Sequence, residues 1–249
     1  MRRFEGRSIL ITGAGSGLGR AAAMRLASEG GRVSCVDVNE AGAAETASAI
    51  RDQGGEAVAV WCDVSDPDAV NRAVEGILRR CGALHVLANV AGIGGFRRTA
   101  EVTLEEWSRV LAVNLTGTFL MCQRALPALL ETRGVIINTA SVAGLKSHPY
   151  CAAYCASKGG VVMLTKALAV EYARKGVRIN CLCPGGVETP LLARFQPPEG
   201  VHPAAFARIA PLERYGQPEE VAGTLAFLAS DDASYINGAT VAVDGGMSA

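Results

Sequence analysis

Seven short runs, "RSILIT", "RVSCVDV", "EAVAVWCDV", "LHVLANVAG", "GVIINTAS", "VRINCLCPGG" and "ATVAVDGG", are apolar at nearly every position, with helical patterns between them. This alternation constrains the chain more than any other feature. A strand with one wet face alternates apolar and polar residues. Unbroken apolar runs therefore belong to strands covered on both faces, as in a parallel sheet. Repeated strand–helix–strand units call for right-handed crossovers and helices on both sides of the sheet. The expected fold class is α/β, a single doubly wound parallel sheet of about seven strands.

The segments between the runs carry helix punctuation. "SDPDAVNRAVEGILRRCG" offers Asp66 as N-cap, Pro67 in the first turn, and Val70, Val74, Ile77 and Leu78 along one face. "VTLEEW" sets Thr103 three residues before Glu106, the spacing of a capping box. No linker, repeat or low-complexity tract interrupts residues 1–249, which read as one domain. The exception to the rhythm is the proline-rich "VETPLLARFQPPEGVHPAAFARIAPLERYGQPEE", expected to form a substrate-binding lid at about 187–216.

Composition removes several function classes. With 49% hydrophobic and 19% charged residues, the chain has material for a large core and is not disordered. Its 24 Lys and Arg balance 24 Asp and Glu, so it lacks the basic footprint of a nucleic-acid binder. No stretch approaches the ~20 apolar residues of a membrane span, and the early "ILI" is too short for a leader core. A cytoplasmic protein with no membrane partner is expected. The eight cysteines are scattered without any C-x-x-C. Cys35, Cys62, Cys181 and Cys183 lie in strand-like runs; Cys181 and Cys183 would share a strand face, Cys151 and Cys155 a helix face. They read as buried free thiols, with no metal.

The first run leads into "ITGAGSGLGRAAAMRLASEGG". A G-x-G-x-x-G pattern fails from Gly13 because Leu18 stands at the third glycine, whereas T-G-x-x-x-G-x-G fits on Thr12, Gly13, Gly17 and Gly19. Glycines between a buried strand and a helix permit a tight turn and close approach of backbone to a pyrophosphate at the helix N-terminus. Asp37 ends the second run ~20 residues beyond Gly17, where an acid accepts hydrogen bonds from ribose hydroxyls. Its charge would repel a 2′-phosphate, and Ala14, Gly15 and Ser16 bring no arginine, although Arg20 is near. NAD is expected over NADP.

Further motifs follow in order: "CDV" after the third run, "NVAG" after the fourth, "NLTG", "NTASVAG", "YCASK" and "PGGVETP". With "TGAGSGLG" they make the chain similar, over essentially its whole length, to the Tyr-dependent short-chain dehydrogenase/reductase family, whose fold is Rossmann-like. The resemblance implies a catalytic tetrad of Asn114, Ser141, Tyr154 and Lys158. It places Asp63 and Val64 at the adenine, Asn89, Ala91 and Gly92 along the cofactor cleft, and Pro184, Gly185, Val187 and Thr189 beside the nicotinamide. Ser16, Leu18 and Val38, and Tyr154 and Lys158 themselves, complete the implied cofactor contacts. The family often has "NNAG" where this chain has Val90. A homo-oligomer, tetramer or dimer, is implied by the family alone.

Tyr154 and Lys158 stand one helical turn apart among small residues. Oxidising an alcohol removes a hydride and a proton, so a base is needed at the oxygen. A free phenol titrates near ~10, and a cation one turn away, together with oxidised nicotinamide, favours the phenolate. Ser141 would hydrogen-bond the reacting oxygen, and Asn114 would hold a water that passes the proton to solvent. Thr139 is a rival hydroxyl to Ser141.

The expected function is reversible hydride transfer between NAD and a secondary alcohol or ketone. Beside it stand an NADPH-dependent 3-oxoacyl-thioester reductase and, from another class, a non-catalytic nucleotide sensor. Substrate choice is expected to rest on Gly94, Gly95 and Phe96, on Leu145 to Tyr150 and on Leu191 to Phe206, with Arg97, Arg98, Arg194 and His202 nearby. His148, also nearby, reads as a specificity contact or as a polar loop residue, the second being preferred.

Overall fold

The computed structural model describes residues 2–202 and 212–249. Strands β1 (Ser8–Thr12), β2 (Arg32–Asp37), β3 (Glu56–Trp61), β4 (Val86–Asn89), β5 (Val135–Thr139), β6 (Arg178–Pro184) and β7 (Thr240–Val243) form one sheet. All pairs are parallel, in the order β3-β2-β1-β4-β5-β6-β7. The chain runs outward from β1 in one direction, then returns to β4 and runs outward in the other. The crevice outside the carboxyl ends of β1 and β4 is where such sheets bind ligands.

Helices α1 (Gly17–Ser28), α2 (Glu40–Asp52), α3 (Pro67–Cys81), α4 (Leu104–Leu111), α5 (Gly117–Thr132), α6 (Ala152–Tyr172) and α7 (Pro218–Ala229) cover the two faces. Alternation along each strand divides the core. Ile9 and Ile11 pack with Ala22 and Leu26 of α1, Ala47 of α2 and Leu225 of α7. Leu10, Leu87 and Ile136 face the other way, onto Val74 of α3, Met121 and Leu129 of α5 and Ala169 of α6. Both layers are buried, which is why the central strands read as continuous apolar runs.

The expectation of two covered faces fails at the sheet's edges. β3 exposes Glu56, Ala59 and Trp61, and β7 has no fully buried residue. Each has one strand neighbour instead of two, and less helix lies over it.

Local signals act as read. Asp66 accepts from the Asp68 N–H at the head of α3, and Gly82, in the left-handed conformation, closes its other end onto the Leu78 carbonyl. Thr103 and Glu106 form a reciprocal capping box at α4. Between α4 and α5 the helix widens into a π-turn over Ala112–Thr116. The segment expected to form a lid is pinned at its ends, where Val187 pairs with Gly216. Its residues 203–211, including Pro203, Phe206 and Pro211, lie outside the described residues.

Candidate active site

A cleft of about 440 Å³ opens at the switch point, along the carboxyl edge of the sheet. At one end the glycine turn forms its floor. Gly13 has φ +71°, and a side chain there would come within 2.8 Å of the Ala91 backbone, so only glycine lets β1 and β4 lie this close. Ser16 precedes α1 with extended backbone and no side-chain cap, leaving the first N–H groups of α1 toward the cleft that Ser16, Gly17, Leu18 and Gly19 line. Thr12 lies beneath: its Oγ1 accepts from the Val90 and Ala91 N–H groups at 3.0 and 3.2 Å.

The carboxylate of Asp37 accepts from the Gly15 N–H and the Asn39 N–H, each at 2.8 Å. These bonds hold its charge at the cleft wall beside Val38. Arg20 is turned below the glycine loop, donating to Thr46 Oγ1, the Gly15 carbonyl and Glu45. Further along, Asp63 and Val64 line the cleft. Burial pushes the Asp63 carboxyl up, but hydrogen bonds from Ser65 and Arg109 outweigh it and hold it below its usual range. Arg109, reaching from α4 to Ser65 Oγ at 2.8 Å and to Asp63, lines the cleft and is unmarked in the sequence because α4 is remote from Asp63 along the chain.

Two residues assigned to the cleft stand elsewhere. Asn89 is buried in the sheet, its amide donating to Asn138 Oδ1 at 2.9 Å and to Cys122 Sγ. Thr12 ties β1 to the turn after β4 in the same way. Both side chains point into the protein because they sit on strand positions facing the layer below. They position the cleft without lining it, whereas Ala91 and Gly92 do line it.

At the other end Ser141, Tyr154 and Lys158 line the cleft together with Pro184, Gly185, Val187 and Thr189, and the Ser141 hydroxyl donates to the Pro184 carbonyl at 3.4 Å. The Ser141 hydroxyl accepts from the Ala143 N–H at 3.1 Å. Lys158, buried, donates from Nζ to the Thr139 carbonyl at 2.8 Å, and its Nζ lies 5.7 Å from the centre of the Tyr154 ring. Burial lowers the ammonium to about 8. Burial also raises the Tyr154 phenol to about 12, opposed by the Ser141 hydrogen bond. Against the expected lowering by Lys158, burial is the main cause of the shift and the Ser141 hydrogen bond is what opposes it.

Asn114 is fully buried in the π-turn and does not line the cleft. Its amide accepts from the Ile93 N–H at 2.8 Å and donates to the Ile93 carbonyl at 2.9 Å and to Ser157 Oγ at 3.0 Å. Ser157 in turn donates to the Tyr154 carbonyl at 2.8 Å. The helix interior tolerates this asparagine because the widened turn aims it at a loop backbone and at α6. Ser157 is the link that sequence reasoning passed over, hidden one position before Lys158.

Of the residues expected to govern substrate choice, Phe96, His148, Leu191, Arg194 and Phe195 line the cleft. Leu145 is exposed, and Arg97 and Arg98 turn away to Glu106 and the Glu199 carbonyl. Phe195 stands edge-on to both Tyr154 and Phe96, with 5.2 Å between ring centres. Gly94 permits this: a side chain there would meet Tyr154 Cδ2 at 2.5 Å. Ile93, Tyr215 and Met247 also line the cleft, brought in from separated stretches.

The residues fit a dinucleotide. The uncapped α1 N-terminus and the Gly13 cradle suit a pyrophosphate, and Thr139 Oγ1, buried at the cleft, has no hydrogen-bond partner among the described residues. Known proteins agree. The sequence matches, over residues 13–248, the family described as enoyl-(acyl carrier protein) reductase. It is 42% identical over 247 residues to meso-2,3-butanediol dehydrogenase of Serratia marcescens, covering 99% of this chain and 96% of that one. The structure of levodione reductase superposes with TM-score 0.92 at 40% identity, covering 99% of both chains. That of 3-ketoacyl-(acyl-carrier-protein) reductase from Brucella melitensis, complexed with NADH, gives TM-score 0.91 at 39% identity over 98% of this chain and 99% of that one. With sheet order, glycine turn and a Ser–Tyr–Lys wall in one cleft, these likenesses establish that the chain is an oxidoreductase of the short-chain dehydrogenase/reductase family.

Proposed function

We propose that the protein interconverts secondary alcohols and ketones with NAD as preferred cofactor, Tyr154 acting as general acid–base. The observation that carries the reading is the placement of Ser141, Tyr154 and Lys158 on the same cleft that the glycine turn and Asp37 open. When bound, the dinucleotide accepts a hydride from the carbinol carbon or returns it. Tyr154 takes the hydroxyl proton in oxidation and gives it back in reduction. Ser141 donates a hydrogen bond to the reacting oxygen. Lys158 holds positive charge beside the phenol and reaches the nicotinamide ribose, and Asn114 fixes the Ile93 loop against α6. Gly17 and Ser16 take the pyrophosphate, Asp63 and Val64 the adenine, and Val187 and Thr189 the nicotinamide side. Asp37 sets the cofactor: its held negative charge disfavours a 2′-phosphate, and Arg20, paired with Glu45, is engaged elsewhere.

The test is steady-state oxidation of a panel of secondary alcohols with NAD and NADP in parallel. Tyr154→Phe is expected to lose at least 10²-fold in kcat, the scale of general-base catalysis, while still binding NADH by fluorescence. Asp37→Ala is expected to move the ratio toward NADP. A Tyr154→Phe enzyme with near-normal turnover would sink the base assignment. Activity only with NADPH on acyl-thioester ketones would favour the second reading, a 3-oxoacyl-thioester reductase, which the likeness to the Brucella melitensis enzyme keeps open.

We also propose a homo-oligomer, a tetramer. Met163 and Val170 on α6 are 63% and 81% exposed, and Phe119 on α5, Phe227 on α7 and Tyr235 are exposed too. Apolar surface on several helices suits burial between copies. Light scattering that returned the mass of one chain at micromolar concentration would overturn this.

A further inference from the structure

The buried part of the substrate end is polar at one place. Ser141 and Tyr154 face the reacting oxygen, and Ile93, Phe96, Leu192 and Phe195 make an apolar wall. Of the other polar side chains there, Arg194 and Tyr215 are exposed. His148 differs. It lies between β5 and α6, is half-buried, and lines the same cleft as Ser141 and Tyr154. Its carbonyl is occupied, accepting from Cys155 Sγ at 3.9 Å. Its ring makes no hydrogen bond among the described residues, and burial alone lowers its pKa, with no charged group contributing.

A neutral imidazole offers one N–H donor and one nitrogen acceptor. Taken from water and left without partners, such a ring costs free energy that a ligand's oxygen can return. An apolar-bodied alcohol with a single oxygen would spend that oxygen on Tyr154 and Ser141 and leave the ring unmatched. A hydroxyl or carbonyl elsewhere on the substrate would complete it.

We propose that His148 is a specificity-determining residue that hydrogen-bonds a second oxygen of the substrate. The favoured substrates are then apolar-bodied diols, hydroxyketones or diones, above simple alcohols of the same skeleton. The proposal rests on the alcohol-dehydrogenase reading above. Because the ring is neutral, it favours hydroxyl and carbonyl oxygens over carboxylates, and a site built around such a bond discriminates strongly against an analogue lacking it.

The experiment measures kcat/KM with NAD for cyclohexanol and for the cyclohexane-1,2-, 1,3- and 1,4-diols, in the full-length wild type, His148→Leu and His148→Asn. The wild type is expected to favour at least one diol over cyclohexanol by roughly tenfold, the scale of one net hydrogen bond. In His148→Leu that ratio should fall toward one, mainly through the diol's KM, and His148→Asn, which keeps a donor and an acceptor, should restore part of it. A wild-type ratio near one for every diol, or a preference unchanged in His148→Leu, overturns the proposal. If both variants bind NADH yet turn over neither class, the ring serves the reaction itself and the specificity role is wrong. If the wild type binds NADH but oxidises neither these four alcohols nor any member of the secondary-alcohol panel, the alcohol-dehydrogenase reading fails with it, a result separable from a flat ratio.

Discussion

At the residue scale the chemistry rests on an opposition between burial and charge. Tyr154 and Lys158 sit in low polarity, which raises the phenol to about 12 and lowers the ammonium to about 8. Both shifts disfavour the charged form, the general consequence of desolvation. Burial thus favours the neutral phenol and the positive charge of oxidised nicotinamide opposes it, so alcohol oxidation should quicken as pH rises from neutrality. Between pH 7 and 10 the expected profile of kcat/KM for oxidation climbs first and then levels as Lys158, at about 8, gives up the charge that supports the phenolate. Ketone reduction, which needs the protonated phenol, does not climb. Initial rates in both directions across that range check this. A flat oxidation profile would mean that Tyr154 is not the titrating base. The tetrad's residue types were legible in the sequence as "NLTG", "TAS" and "YCASK". The bonds from Asn114 to Ile93 and Ser157 were not, since they join three segments distant in the chain.

At the scale of elements, helix ends show how local chemistry sets the frame. Asp66 caps α3 through the Asp68 N–H, Pro67 begins the helix without wasting a donor, and Val70, Val74 and Ile77 are buried. Asp66→Ala should cost about 1 kcal/mol, the usual worth of an N-cap. Urea denaturation would read it as a lower midpoint at unchanged slope; no change would mean solvent satisfies the N–H equally well. The π-turn at Ala112–Thr116 escaped sequence reasoning because a single inserted residue in a helix leaves the apolar pattern nearly intact. Its consequence is functional, since it brings the Asn114 amide to the Ile93 backbone.

Across the whole molecule, one ion cluster joins distant stretches. Glu29 at the end of α1 accepts from Arg3 Nε at 2.6 Å and Arg25 Nε at 2.5 Å, and Arg3 also reaches Asp232. Glu29 is largely buried, and the hydrogen bond from Arg3 is the main cause holding its carboxyl below the usual range. A depressed folded pKa means that the stabilisation is present above the unfolded value and disappears as pH falls through the folded one. Stability should therefore decline below about pH 4.3 more steeply in the wild type than in Glu29→Gln. At pH 7 the variant should be destabilised by about 3 kcal/mol, because two arginines lose their shared anion. Thermal melts at pH 4 and pH 7 decide it, and equal melting temperatures at pH 7 would show the cluster to be energetically silent.

Periodicity and punctuation sufficed for the parallel sheet, the glycine turn and the helix caps, because each is settled by neighbours within a few residues. Apolar runs identified strands but not the edges β3 and β7, since edge status depends on what lies beside a strand. Asp37 was readable as an acid at a strand end. That its charge is held by the Gly15 and Asn39 N–H groups, with Arg20 turned beneath the loop, follows from a close approach of β2, α1 and α2. Thr12 and Asn89 carried motif identity, yet only the packing of β1 against β4 turned them away from the cleft. His148 looked like an ordinary loop residue until the fold set it, with no ring hydrogen bond among the described residues, at the cleft that Tyr154 also lines. Sequence alone determined the elements and the residue types of the chemistry, because backbone preference and hydrophobic period are local. Tertiary structure decided burial, orientation and partnership, because these are properties of the space between segments that meet only once the chain has folded.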